Sequence, residues 1–293
     1  MRLPTALDFH PHCGTMGAYQ RLKTLMNKFN IPTRHNQKLQ QVVERINADE
    51  ELWQLWACAN VNAMDRSGIT DHGDVHIRVV ANAALKMLRL LTEAGVQTSI
   101  EANYGMTKED AEVVVVLAAC MHDLGISIHR DDHEQYSLFL ARAKLPYFLD
   151  GIYDIRGRTI MMSEILHAMI AHQWDQRCLT LEAGVLKVAD ALDMTEGRSR
   201  IPFEAGSVSI HSVSAAAIDS VELKRGEERP IRVEITMSNS AGVFQVDELL
   251  KRKLKNSSIA PYVEVTARVA GPEGEGGEAE RRLLGVFTIK GDQ

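Results

Sequence analysis

The chain has 293 residues, 45% of them hydrophobic and 25% charged, which suits one large domain or two ordinary ones with real cores. Its net charge of -6 argues against a general nucleic-acid-binding surface, while leaving room for a local basic pocket. The four cysteines, Cys13, Cys58, Cys120 and Cys178, form no C-x-x-C pair, so they fit reduced thiols better than a disulfide framework or a zinc ribbon.

Met1 to Asp8 has no apolar h-region, and the longest uncharged apolar run, Val113 to Met121, is about half of what a membrane-spanning helix needs. The expectation is a cytoplasmic protein with no membrane association. Residues 1 to about 15 read as irregular, and the tract His10-Pro11-His12-Cys13 lacks a matching second half. From Met16 the texture is helical, with Tyr19, Leu22, Leu25 and Phe29 at three-to-four spacing up to Pro32. Leu39, Val42 and Ile46 mark a second helix, and Glu50 to about Met64 a third whose tryptophans, Trp53 and Trp56, belong in the core.

Asp71-His72-Gly73-Asp74-Val75-His76 opens a long helix running to about Glu93, followed by a loop containing Tyr104-Gly105. Thr107-Lys108-Glu109-Asp110 has the form of a capping box and predicts a helix up to His122-Asp123. Further helices are expected over about 132–144, before Pro146, over 159–174 and over 180–194. Beyond Ile201-Pro202 the pattern alternates, over 207–212, 221–224, 231–237, 262–269 and 283–289, with one helical stretch at about 246–255. The fold class is therefore mainly α: a helical domain over 1–202, then a small α+β domain over 203–293 with an antiparallel sheet. One face of that sheet needs a cover, from the helical domain or from a second subunit of a homo-oligomer.

Seven of the eleven histidines lie between His72 and His172. In their midst, Asp123 closes the apolar run Val113–Met121, where a charged carboxylate is costly unless paired or coordinated. His72 and His76 are spaced i,i+4 and share a helix face. His133, His172 and Asp190 follow, each in a different predicted helix, giving the order H…HD…H…H…D. A helix bundle can project such side chains into one interior cleft. His167 lies about 140° around its helix from His172, so it reads as a core or surface histidine.

With these residues the sequence resembles the HD-domain superfamily of metal-dependent phosphohydrolases, over roughly residues 70–200. His76-Ile77-Arg78-Val79 resembles its first motif, His122-Asp123-Leu124-Gly125 the doublet, and Val188-Ala189-Asp190-Ala191-Leu192-Asp193 the closing A-D-x-x-D. The resemblance implies an HD-type helical bundle in which His76, His122, Asp123 and Asp190 hold a first metal. His133 and His172 stand where dinuclear members hold a second, with Asp123 between the two ions. Where dinuclear members often carry Lys three residues after the Asp, and mononuclear nucleotidases Glu, this chain has Ile126; His129 and Arg130 are close enough in sequence to replace that group.

The candidate catalytic set is thus Asp123, Arg130, His72 and His129, with His72 either a substrate contact, a partner behind a ligand or merely an N-terminal helix residue. Arg130, Lys187, Arg198 and Arg200 are the candidate phosphate-binding cations. Imidazoles and carboxylates suit Mn, Fe, Co, Ni or Zn without selecting sharply among them, and two such ions roughly 3.5–4 Å apart can stabilise both oxygens of a phosphoryl transfer. The expected activity is hydrolysis of a small phosphorylated substrate, a phosphomonoester or phosphodiester of a nucleotide or related metabolite. A di-iron oxygenase and a nucleotide-sensing regulatory protein are the alternatives. Asp193, three residues after Asp190 and near the same helix face, is a candidate to cap or orient, with its role left open, while His35 and His211 read as incidental.

Overall fold

A computed structural model of the chain describes residues 28–194 and 214–269. The helices are α1 (Gln37–Ala48), α2 (Glu50–Asn60), α3 (Asp74–Glu93), α4 (Ser99–Tyr104), α5 (Lys108–Met121), α6 (His133–Leu149), α7 (Ile155–Ala171) and α8 (Leu181–Ala191). Strands β1 (Ile218–Arg225) and β2 (Ile231–Met237), the short helix α9 (Arg252–Lys255) and strand β3 (Val263–Val269) complete the order. The expected helix before Pro32, the strands over 207–212 and 283–289, and the boundary near 203 fall outside the described residues, wholly or in large part.

Helix α5 is the axis of the bundle. Every residue from Val113 to Met121 is fully buried, and α3, α7 and α8 pack around it. A run of valines is a poor intrinsic helix former because β-branching restricts χ1. Burial decides the outcome here, at about 1.5–3 kcal/mol for each large apolar side chain. Thr107 and Asp110 close the capping box at its start. At its end, where carbonyls lose their helical partners, Trp56 Nε1 donates to the Cys120 carbonyl at 2.8 Å.

Three sequence expectations change. The segment after α3 holds α4, started by a second capping box between Thr98 and Glu101. Helix α6 does not stop before Pro146 but runs through it to Leu149. An interior proline costs about 3 kcal/mol, but buried Leu145, Phe148 and Leu149 offset it, and the Arg45 guanidinium takes the carbonyls of Tyr147, Phe148 and Asp150.

The third change concerns the sheet. Its order is β1-β2-β3, with β1 antiparallel to β2 but β3 parallel to β2, so it is mixed rather than antiparallel. A parallel neighbour requires a long crossover, and residues 238–262, which contain α9, provide one. The buried face of Ile231, Val233, Ile235, Val263 and Val265 joins the same apolar core as the helices, and the helical domain therefore covers the sheet.

Candidate metal centre

The site begins at the start of α3. Its N-cap, Gly73, has no side chain to offer, and Asp71 Oδ1 accepts from the backbone N–H of Gly73 and His76 instead. Asn60 holds Asp71 and the His72 backbone in turn. This turn presents His76 to the core, where its Nδ1 donates to Asp193 Oδ2 at 2.6 Å.

The doublet sits in the sharp turn between α5 and a 3-10 helical turn, Leu124–Ser127. Asn62 Nδ2 donates to the carbonyls of Ile126 and Ser127. Ile126 itself turns into an apolar cluster with Ala59 and Ala63, so this position contributes packing and no charge. Gly125 is required for a different reason: a Cβ there would lie 2.0 Å from the His133 carbonyl and 2.6 Å from Ser137 N. That close approach brings the start of α6 against the doublet. Asp132, just before it, adopts φ 55, a left-handed conformation that Asp tolerates better than most residues.

Asp123 lies at the centre of the cluster. Its Oδ2 faces His76 Nε2 at 3.4 Å and His122 Nε2 at 3.3 Å, while Oδ1 faces His133 Nε2 at 3.1 Å and His172 Nε2 at 3.6 Å. Asp190 Oδ1 joins the first pair, 3.5 Å from His76 Nε2 and 3.7 Å from His122 Nε2. His76, His122 and Asp190, and likewise His122, Asp123 and His172, have ligand atoms all within 4.8 Å of one another. All six residues named from the sequence therefore meet in one place.

The ring nitrogens facing away from this centre are all engaged. His122 Nδ1 reaches the Ala119 carbonyl at 2.9 Å, His133 Nδ1 that of Arg130 at 3.0 Å and His172 Nδ1 that of Met169 at 2.5 Å. A carbonyl accepts only from an N–H, so each neutral imidazole carries its proton on Nδ1 and turns a bare Nε2 inward. His76 and His122 bring two such nitrogens within 3.4 Å. Lone pairs directed at one another and at carboxylates require positive charge between them, and the donor set suits a divalent transition metal. Burial alone would push the Asp123 carboxyl up, but the adjacent His122 and contacts from His133, His172 and His76 hold it well below the usual range.

The remaining candidates divide. Ring centroids of His72 and His76 are 5.3 Å apart, and His72 Nδ1 reaches the Thr70 carbonyl at 2.6 Å. Arg130 Nη1 lies 2.8 Å from His133 Nδ1, at the exposed rim of the cluster. His129 turns outward, its Nδ1 accepting from Asp131 N. Lys187 is fully buried and its ammonium donates to the Gln173 and Gln176 carbonyls. It therefore ties down a loop and has no open face for a phosphate. Arg198 and Arg200 lie outside the described residues. His167 accepts from Leu179 N, away from the cluster.

Sequence reasoning missed two neighbours of the cluster. Glu134, nearly buried, places Oε2 3.4 Å from His133 Nδ1 and groups with His133 and His172; its position next to His133 was the available signal. Lys253, from α9, donates its ammonium to Asp190 Oδ2. Asp193, a candidate from the sequence to cap or orient, is the partner of His76.

Bundle and cluster together define the class: the chain belongs to the HD-domain family, whose members are generally metal-dependent phosphohydrolases, and the HD domain matches residues 74–195. It is 44% identical over 231 residues to Uncharacterized protein MJ1020 of Methanocaldococcus jannaschii, an overlap of 79% of this chain and 86% of that one. No solved structure matches the chain. Among the described residues no helix is long and apolar enough to cross a membrane.

Proposed function

We propose that the protein hydrolyses a phosphomonoester or phosphodiester of a nucleotide or related small metabolite at a dinuclear metal centre. One observation carries this reading: the two oxygens of Asp123 are divided between two pairs of imidazoles, His76 with His122 and His133 with His172. His76, His122, Asp190 and Asp123 would hold one ion, and His133, His172 and Asp123 a second. When bound, such ions lower the pKa of water toward 7 and draw charge from phosphoryl oxygens.

The protein's own groups do the rest. Hydrogen bonds at Nδ1 fix each ring and its tautomer, the arrangement that usually backs a ligating histidine. Since His133 Nδ1 already donates to the Arg130 carbonyl, it has no lone pair for the Arg130 guanidinium, which is left to meet a substrate phosphate at the rim. The test is metal analysis of anaerobically purified protein, then a screen of phosphorylated metabolites with Mn or Fe added. Release of phosphate or a phosphomonoester, abolished with metal binding by Asp123→Ala, is the expected result. Oxygen uptake coupled to substrate loss would replace the hydrolytic reading with an oxidative one.

A further inference from the structure

We propose that Lys253, carried by the C-terminal segment, is a positioning residue of the metal centre that restrains Asp190 to a single inward oxygen. Lys253 donates to Asp190 Oδ2, and both side chains are 13% exposed. The other oxygen, Oδ1, is the one that faces His76 and His122. The inference rests on reading His76, His122 and Asp190 as a metal-holding set.

The segment bearing Lys253 is anchored to the helical domain over its whole length. Arg252 places its guanidinium 4.4 Å from the Trp174 ring and 3.1 Å from Asp175. Leu254 is buried, Cys178 N donates to the Asn256 carbonyl at 3.2 Å, and Ser258 Oγ donates to the Thr180 carbonyl at 2.6 Å. At Gly184, within α8, a Cβ would lie 2.3 Å from Ser258 Oγ and 2.9 Å from Ser258 N. The two segments meet at a distance that only glycine permits, on the helix that carries Asp190.

Stability alone is a weak reason for such a pair. Desolvating an ammonium and a carboxylate is costly, and well-packed apolar replacements are often neutral or better. Ordering the long lysine side chain adds an entropic cost. What the pair does accomplish is geometric and electrostatic. With Oδ2 taken, Asp190 would offer an ion one oxygen instead of two. The ammonium also offsets the carboxylate charge, so less of an ion's charge is neutralised before substrate arrives.

The experiment uses the full chain and its Lys253→Met and Lys253→Arg variants. Manganese binding is measured by calorimetry with the metal alone, and turnover with p-nitrophenyl phosphate. Lys253→Met should fold, bind manganese several-fold more tightly because both Asp190 oxygens become available, and lose about 10–100-fold in kcat with little change in KM. Lys253→Arg should restore most of both properties. Unchanged manganese affinity in the Met variant, or a Met variant that fails to fold, overturns the proposal. A wild-type chain that binds manganese but hydrolyses nothing removes the phosphoesterase reading alone, and the affinity comparison still decides the role of Lys253.

Discussion

Asp193 accepts a 2.6 Å hydrogen bond from Nδ1 of His76, a residue 117 positions earlier in the chain. Asp190, three residues before it, faces Nε2 of the same ring. One helix end thus grips both nitrogens of one imidazole. Asp193→Asn should keep the fold but weaken the hold on the proton and the ring's orientation. The expected loss is about 10–100-fold in metal affinity or activity, measured by metal titration beside turnover. Wild-type affinity and turnover in the variant would show that the His76 ring is fixed by its packing alone.

Gly125→Ala tests the approach of α6 to the doublet. The added methyl would sit 2.0 Å from the His133 carbonyl, so α6 must move and His133 with it. Overpacking of this kind costs about 1–3 kcal/mol. On the dinuclear reading proposed above, the metal content of the purified variant should fall from two ions to one, the ion at His76, His122 and Asp190 being kept. Elemental analysis gives the count directly, and two ions in the variant would place His133 outside the second site.

Glu182 and Glu164 each bury one carboxylate oxygen without a hydrogen-bond partner among the described residues. Burial pushes the Glu182 carboxyl up from its model-compound value of 4.5, and the Glu164 charge pushes it further. A carboxyl with a raised folded-state pKa contributes stability that is complete below pH 4.5 and is lost as pH rises through the folded value. Glu182→Gln keeps an acceptor for the Ile100 N–H and supplies an N–H toward Glu164. The variant should be more stable than wild type at pH 7 by about 1–2 kcal/mol, with the gap closing below the unfolded value. Denaturant unfolding across pH 4–8 measures it, and a gap independent of pH would remove Glu182 as its source.

Metal removal should lower the melting temperature. Ions bound at a free concentration a hundred times Kd stabilise the native state by about 2.7 kcal/mol per site, or about 5–10 °C for a domain of this size. Dialysis against a chelator should lose that increment, and manganese should restore it. An Asp123→Ala chain should show no such response, and an equal shift in both proteins would assign the effect to sites elsewhere.

The legible part of the centre was the part with local grammar. His72 and His76 lie at helical spacing, and His122-Asp123 terminates an apolar run whose burial is complete, so sequence alone marked the site's middle. Asp193 sat one turn from Asp190, yet nothing local says that its partner is His76. Lys253 was harder still, since it is one basic residue in Arg252-Lys253-Leu254-Lys255 and its partner lies 63 positions away. Such pairings are fixed by the packing of α9 on α8, and packing leaves no periodicity to read. Pro146 misled for a related reason: its local cost is real, and distant Arg45 and the core offset it. The parallel run of β3 beside β2 likewise depends on a crossover whose path alternation does not encode.

The long separation between Asp190 and Lys253 has a consequence for the order in which the protein is made. During synthesis His76, His122, Asp123, His133, His172 and Asp190 all emerge before Lys253. For that interval the nascent helical domain carries the full set of imidazoles and carboxylates but not the ammonium that restrains Asp190. The docking of Ser258 against Gly184, close enough to exclude a methyl group, ends that interval: the latest-made of these residues joins a cluster whose other parts were laid down long before it.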